Sequence, residues 1–173
     1  MESGHVSRHF FERAGRTGKY RRFLKWTMVA HHDSYLLFGM HLRYGPCQDS
    51  PSFKPAVTQA AEFLPIDRLF ADGAYDVEDF HHYCRKTLGI RSTIIPLNPR
   101  RSHQHEPKTR YRRQLYKRFP HRLYGSRWHV ESAISQHKRK LGSALHATSE
   151  AGRESECILR QVTHNLMILL LFP

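Results

Sequence analysis

The chain has 173 residues, of which 39% are hydrophobic and 12% aromatic, enough to form the core of one domain spanning residues 1–173. Its 28 Lys and Arg exceed its 15 Asp and Glu by 13 charges, which favours a polyanionic partner. We expect nucleic acid rather than a membrane, because the sequence has no basic helix with a broad apolar face. Three widely spaced cysteines, Cys47, Cys84 and Cys157, argue against a disulfide framework or a structural zinc site, and favour the cytoplasm.

Apolar periodicity, glycine and proline predict alternating strands and helices. The predicted strands are 24–30, 35–44, 68–71 and 92–95, and the predicted helices are 51–63, 77–88, about 120–141 and 152–171. The first two strands should form a hairpin. This alternation predicts an α/β fold in which helices flank a mixed sheet.

The last apolar segment, Ile158 to Phe172, is too short and too often interrupted by polar residues to span a membrane. We expect it to be a buried helix.

A basic segment at about 97–120 is polar and interrupted by proline, so we expect a loop that is poorly ordered without its partner. Four of its cations are predicted to contact DNA phosphates: Arg112, Arg113, Lys117 and Arg118. The alternative interpretation is solvated surface charge.

A second cluster follows, in which Tyr124, Arg127, Glu131 and Lys138 are spaced as Y-x2-R-x3-E-x6-K. On one helix these side chains would lie within an arc of roughly 60°. A carboxylate between cations suits a place where a divalent metal meets a nucleic-acid backbone. An exposed helix with surface ion pairs is the alternative.

Asp72 is the second candidate acid, because it follows a predicted strand at a sheet end where ligands often bind. Small neighbours, Ala71, Gly73 and Ala74, would let a ligand approach. We expect Asp76 to cap the helix that begins at Val77, which leaves Asp72 for function.

These residues resemble bacterial insertion-sequence DDE transposases defined by the Y-x2-R-x3-E-x6-K signature. All four signature positions match. Further similar segments occur in order along nearly the whole chain: Lys25-Trp26, 45–50, 71–76, 94–96 and 164–166.

The resemblance implies an RNase H-like fold in which three acids bind two Mg²⁺ (or Mn²⁺) ions for DNA cleavage and strand transfer. Asp72 would be the second acid and Glu131 the third, while Tyr124, Arg127 and Lys138 would hold DNA. The implied partners are double-stranded DNA at transposon ends and targets, and possible assemblies are a homodimer or a mixed assembly with an intact transposase. The implied location is the bacterial cytoplasm, in association with the nucleoid.

The first acid of this family follows a strand and lies in a segment like Asp-x-Thr-Gly, directly before residues resembling 2–7. Since Met1 stands at that point, we expect the first strand and its aspartate to be missing and the chain to be inactive alone. Asp33 and Asp49 match ordinary positions of the family. Two alternatives remain: a non-enzymatic DNA-binding protein that occupies transposon ends or inhibits an intact transposase, and an RNase H-like nuclease that recruits another acid. Metal-dependent DNA cleavage by the chain would distinguish the enzymatic hypotheses from the hypothesis of a non-enzymatic DNA-binding protein.

Overall fold

The computed structural model describes residues 23–98 and 106–171. Ten strands and helices occur there: β1 (Phe23–Ala30), β2 (Leu37–Gly45), α1 (Ser50–Phe63), β3 (Arg68–Phe70), α2 (Glu78–His82), β4 (Ser92–Ile94), α3 (Arg110–Lys117), α4 (His121–Gly125), α5 (Trp128–Leu141) and α6 (Glu150–Leu171). A 3-10 turn, Gly73–Tyr75, precedes α2, and a π-helical turn, Tyr83–Thr87, extends it. The predicted order of elements is confirmed, with α3 as an addition and with the helix predicted over about 120–141 divided into α4 and α5.

The strands form two separate two-stranded sheets within the described residues. β1 and β2 are an antiparallel hairpin, as predicted, whereas β3 and β4 pair in parallel through a crossover that contains α2. The prediction of one mixed sheet is therefore wrong for this part of the chain, because no described strand connects the hairpin to the parallel pair. The expected position of a first strand lies outside the described residues.

One hydrophobic core joins α1 to the parallel pair. Its buried side chains are Phe53, Val57, Leu69, Phe80, Cys84, Ile90 and Ile95. Phe53 and Phe80 stack with ring centroids 4.4 Å apart. This core fixes the C-terminal end of β3, where Asp72 follows. All three cysteines are free.

The hairpin packs against α1 at a glycine. A Cβ atom at Gly39 would collide with the carbonyl oxygen of Ala56, so only glycine lets β2 approach the helix this closely.

α6 packs on the start of β2 through its polar side chains. The Asn165 amide donates to the carbonyl of Leu37 and accepts from its N–H, both at 2.8 Å. Gln161 donates to the same carbonyl at 3.1 Å, and His164 donates to the carbonyl of Tyr35 at 3.0 Å. The predicted helix is thus anchored by hydrogen bonds as well as by apolar contact.

The expectation that this last helix is buried is wrong for one of its faces. Leu159 is 65% exposed and Leu170 81% exposed. The hairpin and α5 cover a single side of a 22-residue helix, and no described element covers the other. Among the described residues, no helix is long and apolar enough to cross a membrane.

The predicted disordered loop contains the helix α3. Its buried residues are Tyr111 and Leu115, and its first turn is capped from another helix, because the Glu78 carboxylate accepts from the N–H groups of Tyr111 and Arg112 at 2.8 and 3.0 Å. The prediction of a loop is therefore wrong for 110–117. The carboxylate that caps the helix belongs to Glu78, 33 residues upstream of Tyr111, so the local sequence does not reveal it. Residues 99–105 of the predicted loop lie outside the described residues.

Candidate functional site

Asp72 follows β3 and caps the 3-10 turn. Its Oδ1 accepts a hydrogen bond from the N–H of Ala74 at 3.1 Å. Gly73 lies against Pro96, since a Cβ there would be 3.3 Å from the Pro96 carbonyl oxygen. The small residue therefore serves the packing of the loop that follows β4, and Asp72 is held by that packing.

Asp76 does not cap α2, which corrects the predicted division of roles between the two aspartates. Val77 occupies the N-cap position, and the Asp76 carboxylate is fully buried. It accepts from the N–H of Asn98 at 3.0 Å and from the Arg112 guanidinium at 2.7 and 2.8 Å. Asp76 is a structural acid, and the local capping falls to Asp72.

The signature residues lie on two helices rather than one. Tyr124 lies in α4, Arg127 is the N-cap of α5, and Glu131 and Lys138 lie in α5. The prediction of one helix over 120–141 is wrong at the short turn 126–127, where 3-10 hydrogen bonds such as Arg127 N–H to the Tyr124 carbonyl, 2.9 Å, replace the α-helical pattern.

Tyr124 connects the signature to the aspartate loop. Its hydroxyl donates a long hydrogen bond, 3.4 Å, to the carbonyl of Ala71, the residue directly before Asp72. The Arg127 guanidinium lies 5.7 Å from the Tyr124 ring centroid and pairs with Glu131 at 2.7 Å. A continuous series of contacts therefore runs from the Asp72 backbone to the Glu131 carboxylate.

The pKa of Tyr124 also indicates that its hydroxyl lies near both acids. Burial raises the pKa of the Tyr124 phenol, the charge of Arg127 lowers it, and the carboxylates of Asp72 and Glu131 both raise it. One hydroxyl is thus close enough to both acids to feel their charge.

Lys138 lies seven residues beyond Glu131 on α5, which is two helical turns. It begins a basic last turn that also includes Arg139 and Lys140. Among the described residues no carboxylate lies within ion-pair distance of Lys138.

The four predicted phosphate contacts of the basic segment differ in their surroundings. Arg112 is held by buried Asp76, and this hydrogen bond raises the pKa of the guanidinium. Its Nε and Nη2 donors are occupied inside the fold, so a contact of Arg112 with DNA, which stays a prediction, would have to break this pair. Arg113 and Lys117 are exposed on α3 and share Glu106 at 2.5 and 3.2 Å. Arg118 is exposed and has no ion-pair partner in the described part of the chain.

The other acids that could have joined the site are engaged elsewhere. Asp49 pairs with Lys25 at 2.5 Å, and Asp33 lies in the hairpin turn beside His32 at 2.6 Å. Burial raises the pKa of Tyr75 to about 12, with further contributions from Asp49 and Asp72. The half-buried phenol of Tyr75 therefore lies near enough to both acids to feel their charge, and sequence spacing alone carried no signal of this.

Within 23–98 and 106–171, no three His, Cys, Asp or Glu side chains come together as a metal-binding group.

A family model described as "Transposase DDE domain" matches residues 4–166. No curated protein and no solved structure matches the chain.

Proposed function

Because the chain belongs to the transposase DDE domain family, we propose that it functions in DNA transposition through a surface where a divalent metal and the DNA backbone meet. One observation carries this proposal: Tyr124 contacts the residue before Asp72 and lies against Arg127, the partner of Glu131. We propose in addition the RNase H-like fold and the bacterial insertion-sequence type that the motif implies.

Asp72 and Glu131 would hold Mg²⁺ or Mn²⁺, hard cations that prefer carboxylate oxygens. Among the described residues, Asp72 Oδ2 and Glu131 Oε2 have no hydrogen-bond partner, so each carboxylate keeps an oxygen that could bind one ion whose other ligands would be water. The pair does not fit two ions, since no third ligand joins it within the described residues. A bound metal would neutralise charge on the scissile phosphate. A complete two-metal site would take another carboxylate from outside the described residues.

The cations around these acids would position DNA. Arg127 suits bidentate contact with a phosphate, whereas Lys138 acts as a point charge further along α5. Arg113, Lys117 and Arg118 would extend the contact across α3. Because Arg127 pairs with Glu131, a metal ion that binds the same carboxylate would weaken its attraction for Arg127 and favour contact of Arg127 with a phosphate, which couples metal binding to DNA binding.

Mn²⁺ binding, followed by its electron paramagnetic resonance signal, tests the shared site. We expect Asp72→Asn and Glu131→Gln each to weaken Mn²⁺ binding by about tenfold or more. Glu154→Gln, which changes an exposed glutamate on α6, is the matched control and should leave the affinity unchanged. If Asp72→Asn and Glu154→Gln bind Mn²⁺ equally well, the two acids do not share a site.

Cleavage of a DNA substrate tests the number of acids. We expect the 173-residue chain to bind DNA but to show no Mg²⁺-dependent nicking or strand transfer above background. If an added third carboxylate confers cleavage, Glu131→Ala should remove it again. Nicking by the 173 residues unaided would mean that the acids already present suffice.

A second candidate function follows from the absence of any group of three possible metal ligands in the described part of the chain. The chain would then be a non-enzymatic protein that occupies transposon ends or inhibits an intact transposase. Inhibition of an active transposase by added chain, without cleavage by the chain itself, would distinguish this function.

A further inference from the structure

Two histidine rings from distant parts of the chain meet beside the start of α5. His32 lies in the turn between β1 and β2, and His129 lies in the first turn of α5. Their ring centroids are 4.1 Å apart, and their ring planes are inclined by 43°. Both side chains are partly exposed, so an ion in the solvent can reach them. Imidazole nitrogens are ligands that suit divalent transition metals such as zinc, nickel and copper.

The surroundings of His32 leave one of its ring nitrogens available. Its Nδ1 donates to the Asp33 carboxylate at 2.6 Å, since an ionised carboxylate can only accept. This hydrogen bond lowers the pKa of Asp33, and the charges of His31 and His129 act in the same direction. The Nε2 of His32 then carries a lone pair, and it has no hydrogen-bond partner within residues 23–98 and 106–171. A carboxylate that accepts from the other ring nitrogen is a common feature of metal-binding histidines.

His129 has an equivalent partner and is held in place on both sides. Its Nδ1 lies 3.0 Å from the hydroxyl of Tyr35, which can accept the Nδ1 proton when a metal binds Nε2. The indole of Trp128 stacks on the same imidazole, with ring centroids 3.9 Å apart.

The backbone of Tyr35 is strained at this point. Its φ is 60°, a left-handed conformation that a bulky residue rarely adopts. The carbonyl of Tyr35 accepts from His164 on α6 at 3.0 Å, which helps to hold that conformation. The fold therefore retains a costly conformation at the residue whose hydroxyl orients His129.

Aromatic packing is the simpler account of the contact between the two rings, and it predicts no affinity for metals. A metal site is favoured because each ring has an acceptor for its Nδ1 proton and keeps its Nε2 without a partner in the described part of the chain. No third His, Cys, Asp or Glu joins the pair among the described residues, so water would complete the coordination of a bound ion.

We propose that His32 and His129 together bind one divalent transition-metal ion of the class of Zn²⁺, Ni²⁺ and Cu²⁺ through their Nε2 atoms. The ion would fix the start of α5 to the hairpin turn. This site is separate from the oxygen ligands of Asp72 and Glu131, which suit Mg²⁺ or Mn²⁺. The proposal therefore does not depend on the proposed function.

A titration of the full, untagged chain with Ni²⁺ tests this site, because Trp128 stacks on His129 and reports on an ion bound there. Mg²⁺ in excess keeps carboxylate sites occupied. We expect quenching of tryptophan fluorescence that saturates at one Ni²⁺ per chain. Excess Zn²⁺, a d¹⁰ ion that does not quench, should displace Ni²⁺ and restore the emission.

Substitutions locate the bound ion. We expect His32→Asn and His129→Asn each to weaken Ni²⁺ binding at least tenfold, and Asp33→Asn to weaken it by about tenfold through the lost hydrogen bond to His32. His82→Asn, which removes an exposed histidine at the end of α2, is the matched control and should leave the affinity unchanged.

Trp128→Phe distinguishes this site from the other histidine contact. The second tryptophan, Trp26, is buried beside His137, with ring centroids 4.9 Å apart. Ni²⁺ should no longer quench the fluorescence of Trp128→Phe, while calorimetry should still detect one bound ion. Quenching that persists in this variant would place the ion elsewhere and overturn the proposal.

Two further outcomes would also overturn it: quenching that does not saturate, or equal Ni²⁺ affinity of His32→Asn and His82→Asn. Circular dichroism should show that the variants keep the helix content of the unchanged chain. If His129→Asn unfolds the chain, His32→Asn decides, because it changes a partly exposed side chain in the hairpin turn.

Discussion

Replacing Arg112 with alanine tests whether this cation is structural or contacts DNA. The Asp76 carboxylate is fully buried, and the Arg112 guanidinium satisfies both of its oxygens at 2.7 and 2.8 Å. Without that guanidinium, a buried charge loses its main partner. Breaking a buried pair from one side costs about 3–5 kcal/mol of the free energy of unfolding. For a chain of this size that corresponds to a fall in Tm of roughly 10 °C.

Arg113→Ala is the matched control, because Arg113 is the next residue on the same helix. Its side chain is 54% exposed and pairs with Glu106 at the surface. An exposed pair of this kind contributes less than about 1 kcal/mol to the free energy of unfolding. We therefore expect Arg113→Ala to keep the wild-type stability and to lose DNA affinity.

Urea denaturation and fluorescence anisotropy with a labelled duplex measure the two effects separately. Asp76→Ala/Arg112→Ala should be less destabilised than the sum of its two single changes, because the pair is coupled. The reasoning is refuted if Arg112→Ala unfolds at the wild-type urea concentration and weakens DNA binding more than Arg113→Ala does.

Three further changes test other parts of the fold and surface. Burial lowers the pKa of His137 to about 4, below the ~6.5 of an unfolded chain, so the unfolded state takes up the proton first as the pH falls. The free energy of unfolding should therefore fall by roughly 2–3 kcal/mol between pH 6.5 and pH 4. In urea titrations at these pH values, His137→Phe should show a smaller fall. Asn165→Leu removes both hydrogen bonds to Leu37 and should cost about 1–3 kcal/mol in thermal or urea unfolding, whereas Thr163→Ala, at an exposed position of the same helix, should cost little. If the basic surface binds phosphates, Arg118→Ala should reduce the slope of log affinity against log salt by about one, and an unchanged slope would remove Arg118 from the interface.

Local sequence patterns predicted the elements well because those elements depend on near neighbours. The hairpin follows from two β-rich runs, and the bounds of α1 follow from prolines and apolar periodicity. The helix α3 escaped prediction for the opposite reason. Its cap comes from Glu78 and its buried cation is held by Asp76, both more than 30 residues upstream. The local sequence of this basic, polar segment is typical of a solvated loop. It forms a helix because the fold places the distant carboxylates of Glu78 and Asp76 beside it.

The candidate site shows the same division between local and distant information. Sequence spacing made Glu131 and its neighbouring cations candidates, and the end of a predicted strand made Asp72 one. The sequence could not show that Tyr124 connects the signature helices to the loop that contains Asp72, because this contact depends on how α4 packs against that loop.

The capping role predicted for Asp76 falls to Asp72 for a comparable reason, since either residue can cap a turn and only burial distinguishes them. Arg112 belongs to the same lesson: a cation predicted to meet a phosphate already has its anion inside the protein. In a chain with an excess of 13 positive charges, the few buried carboxylates decide which cations remain free for DNA. The cations that remain available for a polyanion are therefore set as much by the acidic side chains as by the basic ones.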